Sequence, residues 1–357
     1  MSETAPSATP ADQDFVAALH EIRSNLDVRR LMFVFSNVMI PALTIALVDT
    51  LTGSHYPPHL LWLPLNILPV VGLVLSVAGV LVTVILTRCH FGLVINGNKM
   101  GRVVRGELRL EGLNWLGVTT NFVAMTALYA GSGLALLLAA LGLGRTVAAA
   151  GGVLMFVLLL LTLRWNHARA NRRSAGLRES WQPGPVSVRH LEEHARESLD
   201  ATTADISVIV VMAIALFSGT FGAMTSLGGI PDSLALTPAP AALKTWGVPL
   251  LSGFTLLSLL LSDRMVLRLR IALAQHAQRL AELRDERDDP WTFRLQERTY
   301  LLFALLHLLT SCSAVLLVWS LSGQLPAILA GGLLFLLGLL WYPWQLARAR
   351  PTVPEAT

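Results

Sequence analysis

From position 117 to position 163 the chain passes forty-seven residues with a single charge, Arg145. A membrane-crossing helix needs about 20 apolar residues, so this stretch predicts two spans joined by a tight turn at Gly142-Leu-Gly-Arg145. The same pattern recurs along the sequence. It predicts an all-α fold, a polytopic membrane helix bundle of eight transmembrane helices over 31–51, 60–86, 116–141, 147–163, 206–227, 246–261, 300–321 and 325–340. Pro57-Pro58 closes the first loop, and Pro64 and Pro69 interrupt the start of the second span. That span is long enough to require tilt, a kink or emergence from the bilayer.

Polar stretches between the spans divide the rest. Residues 1–13 read as a disordered tail. Over 14–30, Phe15, Leu19, Ile22 and Leu26 fall at helical spacing and predict an amphipathic entry helix lying at the membrane face. The segment 92–111 has a turn at its Asn96-Gly-Asn-Lys99 core, and 164–200 breaks at Pro183-Gly-Pro185 before a charged helix over 187–199. The sixth span has no stop signal and continues as a helical arm over 262–289, ended by Pro290. Two four-span halves follow, 31–183 and 184–350, with a tail over 351–357. Arg23-Ser-Asn-Leu-Asp27 ahead of the first span resembles Arg196-Glu-Ser-Leu-Asp200 ahead of the fifth, as a parallel repeat would require.

Composition agrees with the pattern: 54% of residues are hydrophobic, 14% are charged, and mean hydropathy is +0.59, beyond the range of soluble domains. Charge sets the orientation. With the N-terminus cytoplasmic, 25 of the 27 Lys and Arg fall on the cytoplasmic side, leaving Arg145 and Lys244 outside. Both termini are then cytoplasmic, in a bacterial inner membrane. Tryptophans 62, 246 and 319 fall near outer span ends, and 115, 165, 291, 341 and 344 near inner ends. The first apolar run starts at Leu31 without a basic segment before it, so no cleavable leader is expected. Cys89 and Cys312 read as two separate thiols.

Candidate chemistry lies mainly inside the spans, where polar groups are costly and face the bundle. Asn37, Thr119, Thr120, Asn121, Ser218, Thr220, His307, Ser311 and Ser313 are these candidates. Interhelical hydrogen bonding is the plainer role for each. The spans contain no mid-membrane Asp or Glu, which argues against a carboxylate-driven ion cycle. No cofactor motif is present in the sequence. His190-Leu-Glu-Glu-His194 has two histidines on one helix face, a weak metal motif that lacks a distant third ligand. Arg164, Arg169, Arg172, Arg173 and Arg178 follow the fourth span and suit anionic lipid headgroups at the cytoplasmic face. That side carries nearly as many acids as bases, so nucleic acid is not an expected partner. In the arm, Val266, Leu269, Leu273, His276, Leu280 and Leu283 alternate at steps of three and four, as in a coiled coil. This seam predicts packing against the 187–199 helix, a second copy or another protein.

Three classes of function fit: a channel or carrier for a neutral or weakly charged solute, an assembly or signalling scaffold acting through the arm, and an intramembrane enzyme acting on lipid. The last fits least, because the sequence places no nucleophile beside a base. Cysteine labelling of single-cysteine variants in intact cells checks the topology. Positions 98, 175 and 284 should be protected inside, and 54, 232 and 323 should react from outside. Labelling of position 232 from the cytoplasm would rule out eight spans.

Overall fold

The computed structural model describes residues 9–52, 67–104, 114–228, 238–284 and 293–349. They form eight α-helices, with no strand among the described residues: α1 (Pro10–Thr52), α2 (Ile67–Val103), α3 (Asn114–Ala140), α4 (Arg145–Leu177), α5 (Val188–Gly228), α6 (Pro238–Leu283), α7 (Phe293–Ser322) and α8 (Gln324–Ala349). Six of them, α2, α3, α4, α5, α7 and α8, are long and apolar enough to cross a membrane, as the helices of an integral membrane protein are. The first proline-bearing loop, Pro64, Arg105, Arg109 and the ends of the arm and of both tails lie outside the described residues.

The helices pack in chain order, α1 on α2, α2 on α3 and α3 on α4, then α5 on α6, α6 on α7 and α7 on α8. Contacts of α1 with α5 and of α3 with α6 join the two sets. In α4 and α8 only 22% of the apolar window is buried, against 50% in α3, so α4 and α8 form the rim. Their outer faces are rows of leucine, such as Leu154, Leu158 and Leu161 on α4 and Leu329, Leu333, Leu336 and Leu340 on α8. A helix surrounded by protein does not need such a face. On α6 the buried side carries Ser252, Thr255, Ser258 and Ser262, which explains why α6 is less apolar than its neighbours.

Several sequence expectations change. The 14–30 segment is not a separate helix lying at the membrane face; it is the first part of α1. Its stripe of Phe15, Ile22 and Leu26 is buried against Leu93, Met100 and Val103 of α2. Protein, rather than lipid, covers that amphipathic face. The turn expected at Asn96-Gly-Asn-Lys99 is helix, because α2 runs on to Val103. Asn96 bonds its own chain at the Gly92 carbonyl, and Lys99 pairs with Asp14 at 2.7 Å. Tertiary contacts outweigh the local turn preference there. The 187–199 helix and the fifth span are one helix, α5. The sixth span and the arm are likewise continuous through Pro249, as expected. The arm does not project alone, since it packs along α5 with Val266 and Leu269 in the main core. Leu273, His276, Leu280 and Leu283 are half-buried.

At the predicted hairpin, α3 ends where Gly142 takes φ +82°. The Gly142 N–H donates to Ala139 and the Leu143 N–H to Leu138, which caps the last turn and reverses the chain within four residues. The second tight turn, at Gly323 with φ +94°, joins α7 to α8.

The centre of the assembly is charged. Arg29 of α1 and Asp205 of α5 are both buried and ion-paired, and Asp205 accepts a second bond from Arg30 Nε at 2.6 Å. Arg29 also donates to Thr119 Oγ1 of α3 at 3.3 Å and lies 5.4 Å above the Phe122 ring, itself stacked on Phe33. Removing one side of such a pair leaves an uncompensated buried charge, at a cost of about 3–5 kcal/mol. Arg29→Leu should therefore destabilise the protein by about that amount. Arg29→Leu with Asp205→Leu should recover much of the loss. Thermal unfolding of the two purified variants in detergent measures both; equal losses would show that the pairing itself is not what stabilises the bundle.

Candidate functional site: a buried Asp–His–Thr set

The sequence places His307 in the interior of α7, and the structure shows what it meets. Its Nδ1 lies 2.8 Å from Asp263 Oδ2 of α6, and its Nε2 lies 2.9 Å from the Leu334 carbonyl of α8. Thr310, one turn further along α7, donates to the same Asp263 oxygen at 3.0 Å and also to the Leu306 carbonyl. Only 6% of the His307 side chain and 7% of the Asp263 side chain are exposed. Three helices thus converge on one carboxylate and one imidazole. The ring lies parallel to Phe303 (centroids 5.7 Å apart, planes 4° apart) and to Phe335 (6.1 Å, 16°). Space for it comes from α8, where a Cβ on Gly338 would fall inside the His307 ring.

The hydrogen-bond chemistry is constrained. A carbonyl can only accept, so Nε2 must carry a proton for Leu334. Nδ1 then faces Asp263 either as a donor to a carboxylate or as an acceptor from a carboxylic acid. One proton is shared between the two groups in both cases. Asp263 Oδ1 is buried without a hydrogen-bond partner among the described residues. Ser311 donates to the His307 carbonyl at 2.9 Å and completes the cluster.

The other intramembrane candidates separate into paired, unpaired and exposed groups. Asn37 is buried and accepts from the Tyr129 hydroxyl of α3 at 3.0 Å while donating to Phe33. Thr220 accepts from Thr255 of α6 at 2.8 Å. Thr119 belongs to the Arg29 cluster. Asn121 and Ser313 are buried with a polar atom each that has no hydrogen-bond partner among the described residues. Thr120 and Ser218 are exposed, so they cannot line the bundle interior. Sequence reading missed Asp263, which lies two residues after the leucine run of 259–261 and reads as the second residue of the arm. The period of Ser252, Thr255, Ser258 and Ser262 was the available signal, because it marks one protein-facing stripe that leads to Asp263.

At the charged end of the bundle, the His-x-x-Glu-His pair is engaged by α1. His190 Nδ1 lies 2.7 Å from Asp12 Oδ1, and the edge of His194 meets Phe15 at 5.8 Å. Among the described residues no three His, Cys, Asp or Glu come together as metal ligands do. Burial pushes the Asp12 carboxyl up, but bonds from His190 and the Ser187 N–H outweigh it and hold the group below its usual range. The arginines 164, 169, 172, 173 and 178 are all exposed along α4, with Arg169 5.4 Å above the Trp165 ring. No protein-family model, curated protein or solved structure matches the chain.

His276 gives the fold a pH dependence. Burial on the arm, facing α5, pushes it down from 6.5 to about 4. The unfolded chain therefore binds the extra proton between those values, so this contribution to stability is complete above about pH 6.5 and is lost as pH falls towards 4. The melting temperature in detergent should drop by a few degrees between about pH 7.5 and about pH 5. His276→Gln should reduce that drop without abolishing it, since burial pushes His194 of α5 down to about 4 as well, and an equal drop in the variant would assign it elsewhere.

Proposed function

We propose that the protein is an eight-span channel or carrier for a neutral or weakly charged solute, set in the bacterial inner membrane with both termini cytoplasmic. The six apolar helices support the membrane setting. One observation carries the functional reading. The bundle interior holds a polar set, Asp263–His307–Thr310, whose burial costs more than ordinary helix contacts require. Asp263, where the sixth span passes into the arm, supplies a buried carboxylate beside His307. The five exposed arginines of α4, with Trp165 among them, support contact with anionic lipid headgroups at the cytoplasmic face.

A second reading, assembly through the arm, is supported by the half-buried seam of Leu273, His276, Leu280 and Leu283. It gives a second copy or a partner protein an apolar edge to bind, although Val266 and Leu269 are already taken within the chain.

Reconstitution separates the two. Purified protein in liposomes of mixed zwitterionic and anionic lipid, loaded with a panel of small neutral and zwitterionic solutes, should release at least one of them faster than protein-free liposomes. Asp263→Asn or His307→Gln should slow that release by at least tenfold. Absence of flux for the whole panel, together with loss of an oligomer on Leu273→Asp with Leu280→Asp, would favour assembly over transport.

A further inference from the structure

We infer that Asp263 and His307 form a proton-binding site that only one of two related halves of the protein contains. The relation shows first in the rim helices. Trp165-Asn-His-Ala-Arg-Ala170 of α4 and Trp344-Gln-Leu-Ala-Arg-Ala349 of α8 stand 179 residues apart. Each has its arginine over its tryptophan, at 5.4 Å for Arg169 and 5.5 Å for Arg348. The same offset pairs Gly152 with Gly331. A Cβ on Gly152 would meet the Gly131 carbonyl and Ala135, and one on Gly331 would meet the Ser311 carbonyl and Val315. Those partners are 180 residues apart, which sets the register of α3 on α7. A Cβ on Gly72 would meet the Leu137 backbone, and one on Gly253 the end of the Leu317 side chain at 3.8 Å; pairing these two looser counterparts gives an offset of 181 for α2 on α6.

These registers locate the counterpart of the buried set. His307 corresponds to Ala127, Thr310 to Ala130, Gly338 to Leu159 and Asp263 to Val82. Phe335 corresponds to Phe156. Ala127, Ala130 and Leu159 are a hydrophobic cluster of their own, with Phe156 packed against it, and Val82 is buried nearby in the main core. The first half therefore makes the corresponding crossing without an ionisable side chain, its polar contact there being the 2.8 Å hydrogen bond between the Thr83 and Thr126 hydroxyls. Packing does not call for an acid and an imidazole at this crossing. The second half replaces four apolar side chains with a carboxyl, an imidazole, a hydroxyl and the glycine that makes room for the ring.

The geometry identifies the ligand. With Nε2–H fixed on Leu334, the proton between Nδ1 and Asp263 Oδ2 keeps the pair neutral overall and hydrogen-bonded. Its departure to a solvent base leaves a carboxylate facing an imidazole lone pair at 2.8 Å, two acceptors that must move apart. Loss of one proton thus loosens α7 from α6. Other ionisable groups on the packed elements are already engaged. On α8, Tyr342 stacks on Phe303, lies tilted against Tyr300 and has the Arg270 guanidinium of α6 beside it. Asp205 of α5 is held by Arg29 and Arg30, and Arg264 of α6 is exposed. That this step drives solute movement rests on the carrier reading; the proton site itself does not.

Nitrogen-15 NMR of the full-length protein, labelled at histidine and embedded in lipid nanodiscs, tests the site. One imidazole, identified by its loss in His307→Gln, should show a hydrogen-bonded Nδ1 proton at neutral pH and lose it in a single step on raising pH. Asp263→Asn should shift that step by more than tenfold in proton concentration. The variant Asp263→Val, His307→Ala, Thr310→Ala, Gly338→Leu, which copies the first half, should fold and melt no lower than wild type while losing the step. A His307 signal that does not titrate, or that is indifferent to Asp263→Asn, overturns the proposal. So does a copied variant that melts well below wild type, since the polar set would then be structural. A normal titration with no solute flux in liposomes overturns the carrier reading and leaves the proton site standing.

Discussion

The buried ion pair between Arg29 and Asp205 is the constraint that the rest of the bundle depends on. Both groups are withdrawn from solvent, and an isolated charge there would be prohibitive, so α1 and α5 can only be placed where the two meet. Arg30 takes the other carboxylate oxygen, and its Nη2 reaches the Ala201 carbonyl one turn before Asp205. Thr119 and Phe122 bring α3 to the same point through a hydrogen bond and a cation–π contact. A hydrophobic seam alone would allow α1 and α5 to slide by a turn; a pair with two arginines on one carboxylate does not. Its value lies more in register than in net stability, since desolvation offsets much of the attraction.

Once α1 and α5 are fixed back to back, the other helices fall into an inner and an outer class. Each set of four ends in a rim helix, α4 or α8, whose leucine face needs no protein partner. That division decides where polar chemistry can be accommodated. α6 touches α3, α5, α7 and α8, so its serines, its threonine and Asp263 are enclosed by protein. The same side chains on α4 would face the surrounding medium. A helix can therefore carry an enclosed carboxylate only if it is an inner one, as α5 does with Asp205 and α6 with Asp263.

Much of the helical architecture was legible because length and hydrophobicity report it directly. The hairpin turn at Gly142 and the continuous run from the sixth span into the arm both follow from local sequence. Less was legible where two helices cover each other outside the apolar stretches. Phe15, Ile22 and Leu26 have the same spacing whether lipid or α2 covers them, and only the fold distinguishes the two. The Asn96-Gly-Asn turn signal is strong locally, yet the helix continues because Met100 and Val103 beyond it are buried on α1. His307 was readable as an interior polar group. Its partner was not, because hydropathy ends the sixth span at Leu261, whereas the enclosure provided by α7 and α8 extends past it.

On the proposed correspondence of the two halves, few changes separate the Asp263–His307 crossing from its counterpart. The decisive one is small. At Gly338 the side chain is absent, and the space that Leu159 fills in the first half is taken by the His307 ring. The imidazole then bridges α6 and α8 from its place on α7, with one ring nitrogen on each. Three helices become coupled through one ring, with one nitrogen on the Asp263 carboxyl and the other on the Leu334 carbonyl. A change in protonation at such a point is communicated to all three, because the buried Asp263 has no solvent to replace the bond it would lose. The alanine and leucine cluster of α3 and α4 holds no such ring, and the Arg29–Asp205 contact ties α1 to α5, so any such movement would be taken up by α6, α7 and α8.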